Sequence, residues 1–229
     1  MNSQDEARTK HRSPSWIAAS ALVFACILYL AWIGAWLLER SLESHVVWMN
    51  TSGDRSAYWL IMKMLLWILP ATVVIRLSGR RLTDVMGFER VRSIIVWGGG
   101  VGLILGATTL VTKTFGHHPL FASQLGWPLF SGVLAAPIVE EIAFRGAILG
   151  ALGERFRFGV ANAITGLLFT GVHFIGWYFQ GRLLANLKSP IGGALSIFLL
   201  GLVFGYVAHR SKSVAASTLT HILNNLFNA

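Results

Sequence analysis

Glu140-Glu141-Ile142-Ala143-Phe144-Arg145 lies inside an apolar run from Pro128 to Gly150, long enough to cross a bilayer. Each ionisable side chain placed in such a run costs about 2.5–3.5 kcal/mol on insertion scales. Three of them together call for partners or a purpose. Two later apolar runs each supply a histidine, in Phe169-x-x-x-His173 and His221-x-x-x-Asn225. This pattern predicts a membrane bundle that brings three polar-faced helices together.

The composition sets the same class. Of 229 residues, 54% are hydrophobic and only 13% are charged, where a soluble domain carries about 25% charge. Mean hydropathy is +0.60. The net charge of +9 sits in short loops beside apolar runs, which points to topology and anionic lipid rather than nucleic acid. The single cysteine, Cys26, excludes an intrachain disulfide.

Outward from the central run, hydropathy predicts an all-α polytopic bundle of about seven transmembrane helices. The expected spans are Trp16–Leu38, Ala57–Leu77, Ile94–Thr112, Pro128–Gly150, Phe158–Phe179, Pro190–Ala208 and Val214–Asn228. The first, at 23 residues, exceeds the about 7–15 of a signal-peptide core and reads as a retained anchor. The last is short and polar, with Ser217, Thr218, Thr220, His221, Asn224, Asn225 and Asn228, so it should face the bundle interior. Pro70 and Pro137 are expected to kink their helices. Lys63, inside the second span, is expected to snorkel to the interface.

Gly98, Gly102 and Gly106 recur every four residues, a spacing that lets a neighbouring helix approach closely. No strand precedes them and no Lys-Ser/Thr follows, which argues against a nucleotide-binding loop. Gly146-x-x-x-Gly150 and Gly201-x-x-x-Gly205 offer similar faces, within or between chains. Asn50-Thr51-Ser52 matches a glycosylation acceptor and His117-His118 a minimal metal pair; both are read as incidental.

The basic residues suggest an orientation. With the amino terminus in the cytoplasm, inner segments hold Arg8, Lys10, Arg12, Arg76, Arg80, Arg81, Arg90, Arg92, Arg155, Arg157, Arg210 and Lys212. Outer loops hold Arg40, Arg55, Lys113, Arg182 and Lys188. Twelve against five satisfies the positive-inside rule. The expected setting is an integral, multi-pass membrane protein, in the plasma membrane if the source is bacterial, with lipids as partners.

Adjacent helical residues point about 100° apart, so Glu140 and Glu141 cannot serve one site equally. Glu141 and Arg145, four apart, share a face and are expected to form a buried ion pair. Glu140 then has no cation on its own helix, which suits it to take a proton from water near neutral pH. His221 and Asn225, also four apart, would face one way as hydrogen-bond donors to a developing oxyanion. At about 1.5 Å per residue, Glu140 and His221 lie near mid-membrane and His173 roughly 9 Å from one end of its span.

The three motifs together resemble the CPBP family: CAAX prenyl endopeptidases of the Ras-converting type, bacteriocin-processing proteins and bacteriocin-immunity (Abi) proteins. The family pattern EExxxR, FxxxH and HxxxN/B is matched at every motif position, over Trp127 to Phe227. The resemblance implies a division into 1–126, a tail plus three accessory helices, and 127–229, a four-helix catalytic core. It also implies an intramembrane endopeptidase acting on membrane-associated or lipidated peptides. In it Glu140 and His173 would activate water, His221 and Asn225 would stabilise the oxyanion, and Glu141 with Arg145 would hold the site together.

Family members are often labelled metalloproteases, and a metal-free glutamate mechanism is also argued. The metal-free reading is preferred here. The alternative is a divalent metal such as zinc held by Glu140, His173 and His221. A second function remains open, a non-catalytic immunity-type protein that binds a peptide or protein partner through the same residues. A transporter is disfavoured because no inverted repeat relates the halves.

Overall fold

The computed structural model describes residues 13–43, 45, 52–117, 119 and 126–229. The basic residues of the amino-terminal tail, the acceptor residues Asn50 and Thr51, and His118 lie outside the described residues. The described residues form helices and no strands: α1 (Pro14–Glu43), α2 (52–77), α3 (Leu82–Met86), α4 (Val91–Phe115), α5 (127–153), α6 (Phe158–Phe179), α7 (Leu183–Lys188), α8 (Ala194–Ser211) and α9 (Val214–Asn228).

Among the described residues, α1, α2 from Arg55, α4, α6 and α8 are long and apolar enough to cross a membrane. The two other expected spans fall outside that group for different reasons. Helix α5 carries Glu140, Glu141 and Arg145 at its centre, and α9 has only 15 residues. Those two helices hold most of the polar candidates.

Several boundaries move. Helix α1 continues to Glu43 and α4 to Phe115, and the loops expected around 76–92 and 180–189 contain α3 and α7. Helix α8 begins at Ala194 rather than Pro190, because Gly192 takes a left-handed φ of 72° just before it.

The helices continue through both prolines by a particular device. Just ahead of Pro70 and of Pro137 the helix widens to i→i+5 bonding, over Met64–Ile68 and Ser131–Ala135. A proline lacks the N–H and its ring presses on the carbonyl one turn back, and a widened turn relieves both. A third widened stretch, Ile142–Leu149, contains Arg145.

Helix α5 is the axis of the bundle. Every residue from 139 to 149 is buried. Helices α1, α2, α6, α8 and α9 all pack against it, so the charged residues at its centre are enclosed by protein rather than lipid. Helix α4 packs against α9. A Cβ added at Gly98 would stand 2.6 Å from the Ala216 carbonyl oxygen, and one at Gly102 would stand 2.6 Å from Leu223 Cδ1. Thr220 Oγ1 donates to the Gly98 carbonyl at 3.0 Å across this contact. The glycine stripe therefore sets the position of the helix that carries His221. The other two small-residue faces also serve packing within the chain. Gly146 meets Val85 and Ile75, Gly150 lies under the Arg80 guanidinium, Gly201 meets Phe169, and Gly205 lies against Asn162.

Helix α9 is anchored by Ser213, which accepts from the Ala216 amide at 3.3 Å and donates to the Met86 carbonyl at 2.6 Å. Of the polar stripe, Ser217, Thr218, Thr220, His221 and Asn224 are buried as expected, whereas Asn225 is half-buried and Asn228, at the helix end, is exposed. The bundle's two ends differ in charge. The end carrying the α2–α4 connection and the α8–α9 turn holds Arg76, Arg80, Arg81, Arg90, Arg92, Arg155, Arg157, Arg210 and Lys212. The opposite end holds Arg40, Arg55, Lys113, Arg182 and Lys188.

Candidate active site

The adjacent acids of α5 meet different partners. Glu141 Oε1 accepts from Arg145 Nη1 at 2.9 Å, with both side chains 0% exposed. The same oxygen lies 3.0 Å from His221 Nδ1. Arg145 Nη2 donates to the Gly201 carbonyl at 2.9 Å. The expected ion pair is thus present, and Glu141 additionally orients the histidine of α9. A carboxylate accepts, so Nδ1 carries the hydrogen and Nε2 is the nitrogen left for chemistry.

Glu140 points elsewhere. Its Oε1 lies 2.7 Å from Lys63 Nζ of α2. This overturns the reading of Lys63 as a snorkelling residue. Helix α2 packs against α5 at this level, and a carboxylate is a better partner for an enclosed ammonium than a distant interface. The Lys63 side chain is 18% exposed and that of Glu140 11%. The sequence reading missed Lys63 as part of the site. The available signal was a lone cation within a span, opposite a span with one unmatched acid.

His173, on α6, gives Nδ1–H to the Phe169 carbonyl at 2.7 Å, which leaves Nε2 as its free nitrogen. Asn225 Nδ2 donates to the Gly132 carbonyl at 3.0 Å, and Asn225 Oδ1 accepts from Asn224 Nδ2 at 3.2 Å. One amide hydrogen of Asn225 engages α5, and the second is not needed for that contact.

Aromatic rings hold these groups apart and in place. Phe169 is buried, with its centroid 4.8 Å from the His173 ring and 6.1 Å from the His221 ring. The Arg145 guanidinium lies over it at 4.4 Å, a cation–π contact. Phe204 of α8 stacks on His221 at 4.4 Å. No short motif marks Phe204, so sequence reading did not find it. Phe169 was read only as an apolar neighbour of His173, and it touches both imidazoles.

The metal alternative does not fit these residues. Among the described residues, no three His, Cys, Asp or Glu side chains form a group that could hold a metal ion. Glu140, one of the three proposed donors, is engaged by Lys63. A separate cavity of about 440 Å³ opens at the arginine-rich end, lined by Arg80, Asp84, Phe156, His209 and Lys212. It reaches the site only through Arg145.

Residues 122–227 match the family described as type II CAAX prenyl endopeptidase, Rce1-like. The candidate membrane peptidase YdiL of Bacillus subtilis (strain 168) is 31% identical over 94 residues, covering 41% of this chain and 32% of that protein. The chain thus spans about a third of the length of the curated relative it matches. No solved structure matches it. Glu140-Glu141-x-x-x-Arg145, Phe169-x-x-x-His173 and His221-x-x-x-Asn225 all fall inside the matched segment, so the segment 122–227 that carries the candidate site is similar to the Rce1-like CAAX prenyl endopeptidases.

Proposed function

We propose that this protein is an intramembrane endopeptidase that hydrolyses peptide bonds in membrane-associated or lipidated peptides. The observation that carries this reading is the gathering of His173 and His221 around the Phe169 ring, with His221 bonded to Glu141 beside Glu140, inside a segment similar to a peptidase family. A carboxylate on α5 with the open Nε2 of His173 is suited to activating water, and His221, once its ring carries hydrogen on both nitrogens, to donating to an oxyanion.

The proposed step balances as follows. Glu140, with His173 Nε2 beside it, takes a proton from water as the water oxygen adds to the scissile carbonyl carbon. The tetrahedral oxyanion accepts from Asn225 Nδ2 and from protonated His221 Nε2. The Glu141 carboxylate at His221 Nδ1 compensates the imidazolium charge, and Arg145 holds Glu141 in place. The C–N bond then breaks, and the proton held by Glu140 passes to the leaving amine.

Orientation follows the charge asymmetry, with the arginine-rich end and the amino terminus in the cytoplasm. Substrate then reaches Glu140 from the membrane interior or from the opposite end.

The test is a comparison of protein termini in cells carrying the parent chain and cells carrying Glu140→Gln. New termini present only with the parent chain identify substrates. A phenotype that persists through both Glu140→Gln and His221→Ala, with no difference in termini, favours a non-catalytic binding role.

A further inference from the structure

Lys63 lies 59 residues before the start of the family segment at 122, yet its ammonium is 2.7 Å from the candidate base. The contact is directed rather than casual. Lys63 Nζ lies over the Trp67 ring at 5.5 Å. Trp67 is itself buried edge-on against Phe144 of α5. The aromatic wall thus steers the lysine inward, toward the next residue face of α5 rather than along its own helix to the interface.

Among the described residues, no other cation pairs with Glu140. Arg145 is bonded to Glu141 and to the Gly201 carbonyl. The imidazoles are bonded elsewhere, His173 to the Phe169 carbonyl and His221 to Glu141. An ammonium is a compact charge that binds one oxygen of a carboxylate. At Glu140 that oxygen is Oε1, so the pairing fixes the rotamer and leaves Oε2 for water.

We propose that Lys63 is a positioning residue for the hydrolysis, holding the Glu140 carboxylate charged and aimed, so that α2 completes an active site the family segment alone does not contain. This rests on the reading of Glu140 as the base.

The experiment uses the full chain in proteoliposomes. Its probe is a quenched fluorescent peptide spanning a bond that the parent chain cleaves. Lys63→Met keeps the length and removes the charge. It should lower kcat by about 10²-fold, the scale of an ångström's misplacement of a catalytic group, with KM unchanged. Lys63→Arg should restore most of that loss.

Thermal unfolding reads the pair without reference to activity. Lys63→Met should lower Tm in the parent chain and leave it unchanged in the Glu140→Gln background, where no carboxylate charge awaits a partner. Parental kcat in Lys63→Met overturns the inference. So does a loss that Lys63→Arg fails to restore, or a Tm decrease that persists with Glu140→Gln, since either makes Lys63 a packing residue. Cleavage that survives Glu140→Gln sinks the base assignment instead, and an intact unfolding cycle would distinguish that failure from loss of the pair.

Discussion

The site has a closed half and an open half, and they meet between two consecutive residues. On the closed side, Glu141, Arg145, the Gly201 carbonyl and His221 form one bonded set, buried and covered by Phe169 and Phe204. On the open side, Glu140, Lys63, His173 and Asn225 each keep some exposure. A turn of about 100° between neighbours on α5 separates the two environments. The contrast teaches that equal charge and adjacent position do not give equal roles. The closed carboxylate is fixed by Arg145 and His221, whereas the open one is held through one oxygen by a single ammonium.

The sharpest way to break that contrast is Glu141→Ala. It strands the Arg145 charge and releases His221, and removing one partner of a buried pair costs about 3–5 kcal/mol. Unfolding in detergent should show that loss, and a variant as stable as the parent chain would erase the distinction. Glu140→Gln should instead lower turnover by about 10²–10⁴-fold, the range of general acid–base contributions, while the protein stays folded. Circular dichroism and cleavage measured on one preparation separate the two outcomes.

Asn225→Ala tests the oxyanion role on the open side. Loss of one such donor is worth about 10²–10³-fold in kcat, and unchanged kcat would confine Asn225 to its bond with Gly132. Gly98→Val probes how the closed half is placed. The added carbons meet Ala216, and overpacking of this kind costs about 1–3 kcal/mol; it should also displace Thr220 and, one residue on, His221. A stability equal to that of the parent chain would show that α9 does not depend on the stripe. Chelator treatment is the smallest expected change. Because the donors do not form a ligand group, turnover should survive it, and loss reversed by zinc add-back would require a rearranged site.

Much of this was readable in the chain itself. Hydropathy marked the membrane class, and the ends of Phe158–Phe179 and Val214–Asn228 match the observed helices. Helical spacing paired Glu141 with Arg145 and placed the polar stripe of α9 inward. These are properties of one segment at a time, because burial preference and i,i+4 geometry need no knowledge of a neighbour.

The tertiary structure alone decided which helix faces which. It turned Lys63 inward to Glu140, set His221 against Glu141, placed Phe204 over that imidazole, and used the glycine stripe of α4 to seat α9. Each of these contacts joins helices whose relative rotation and depth are fixed by packing around α5. No single stretch of sequence encodes such a rotation, because it results from all the interlocking side chains together.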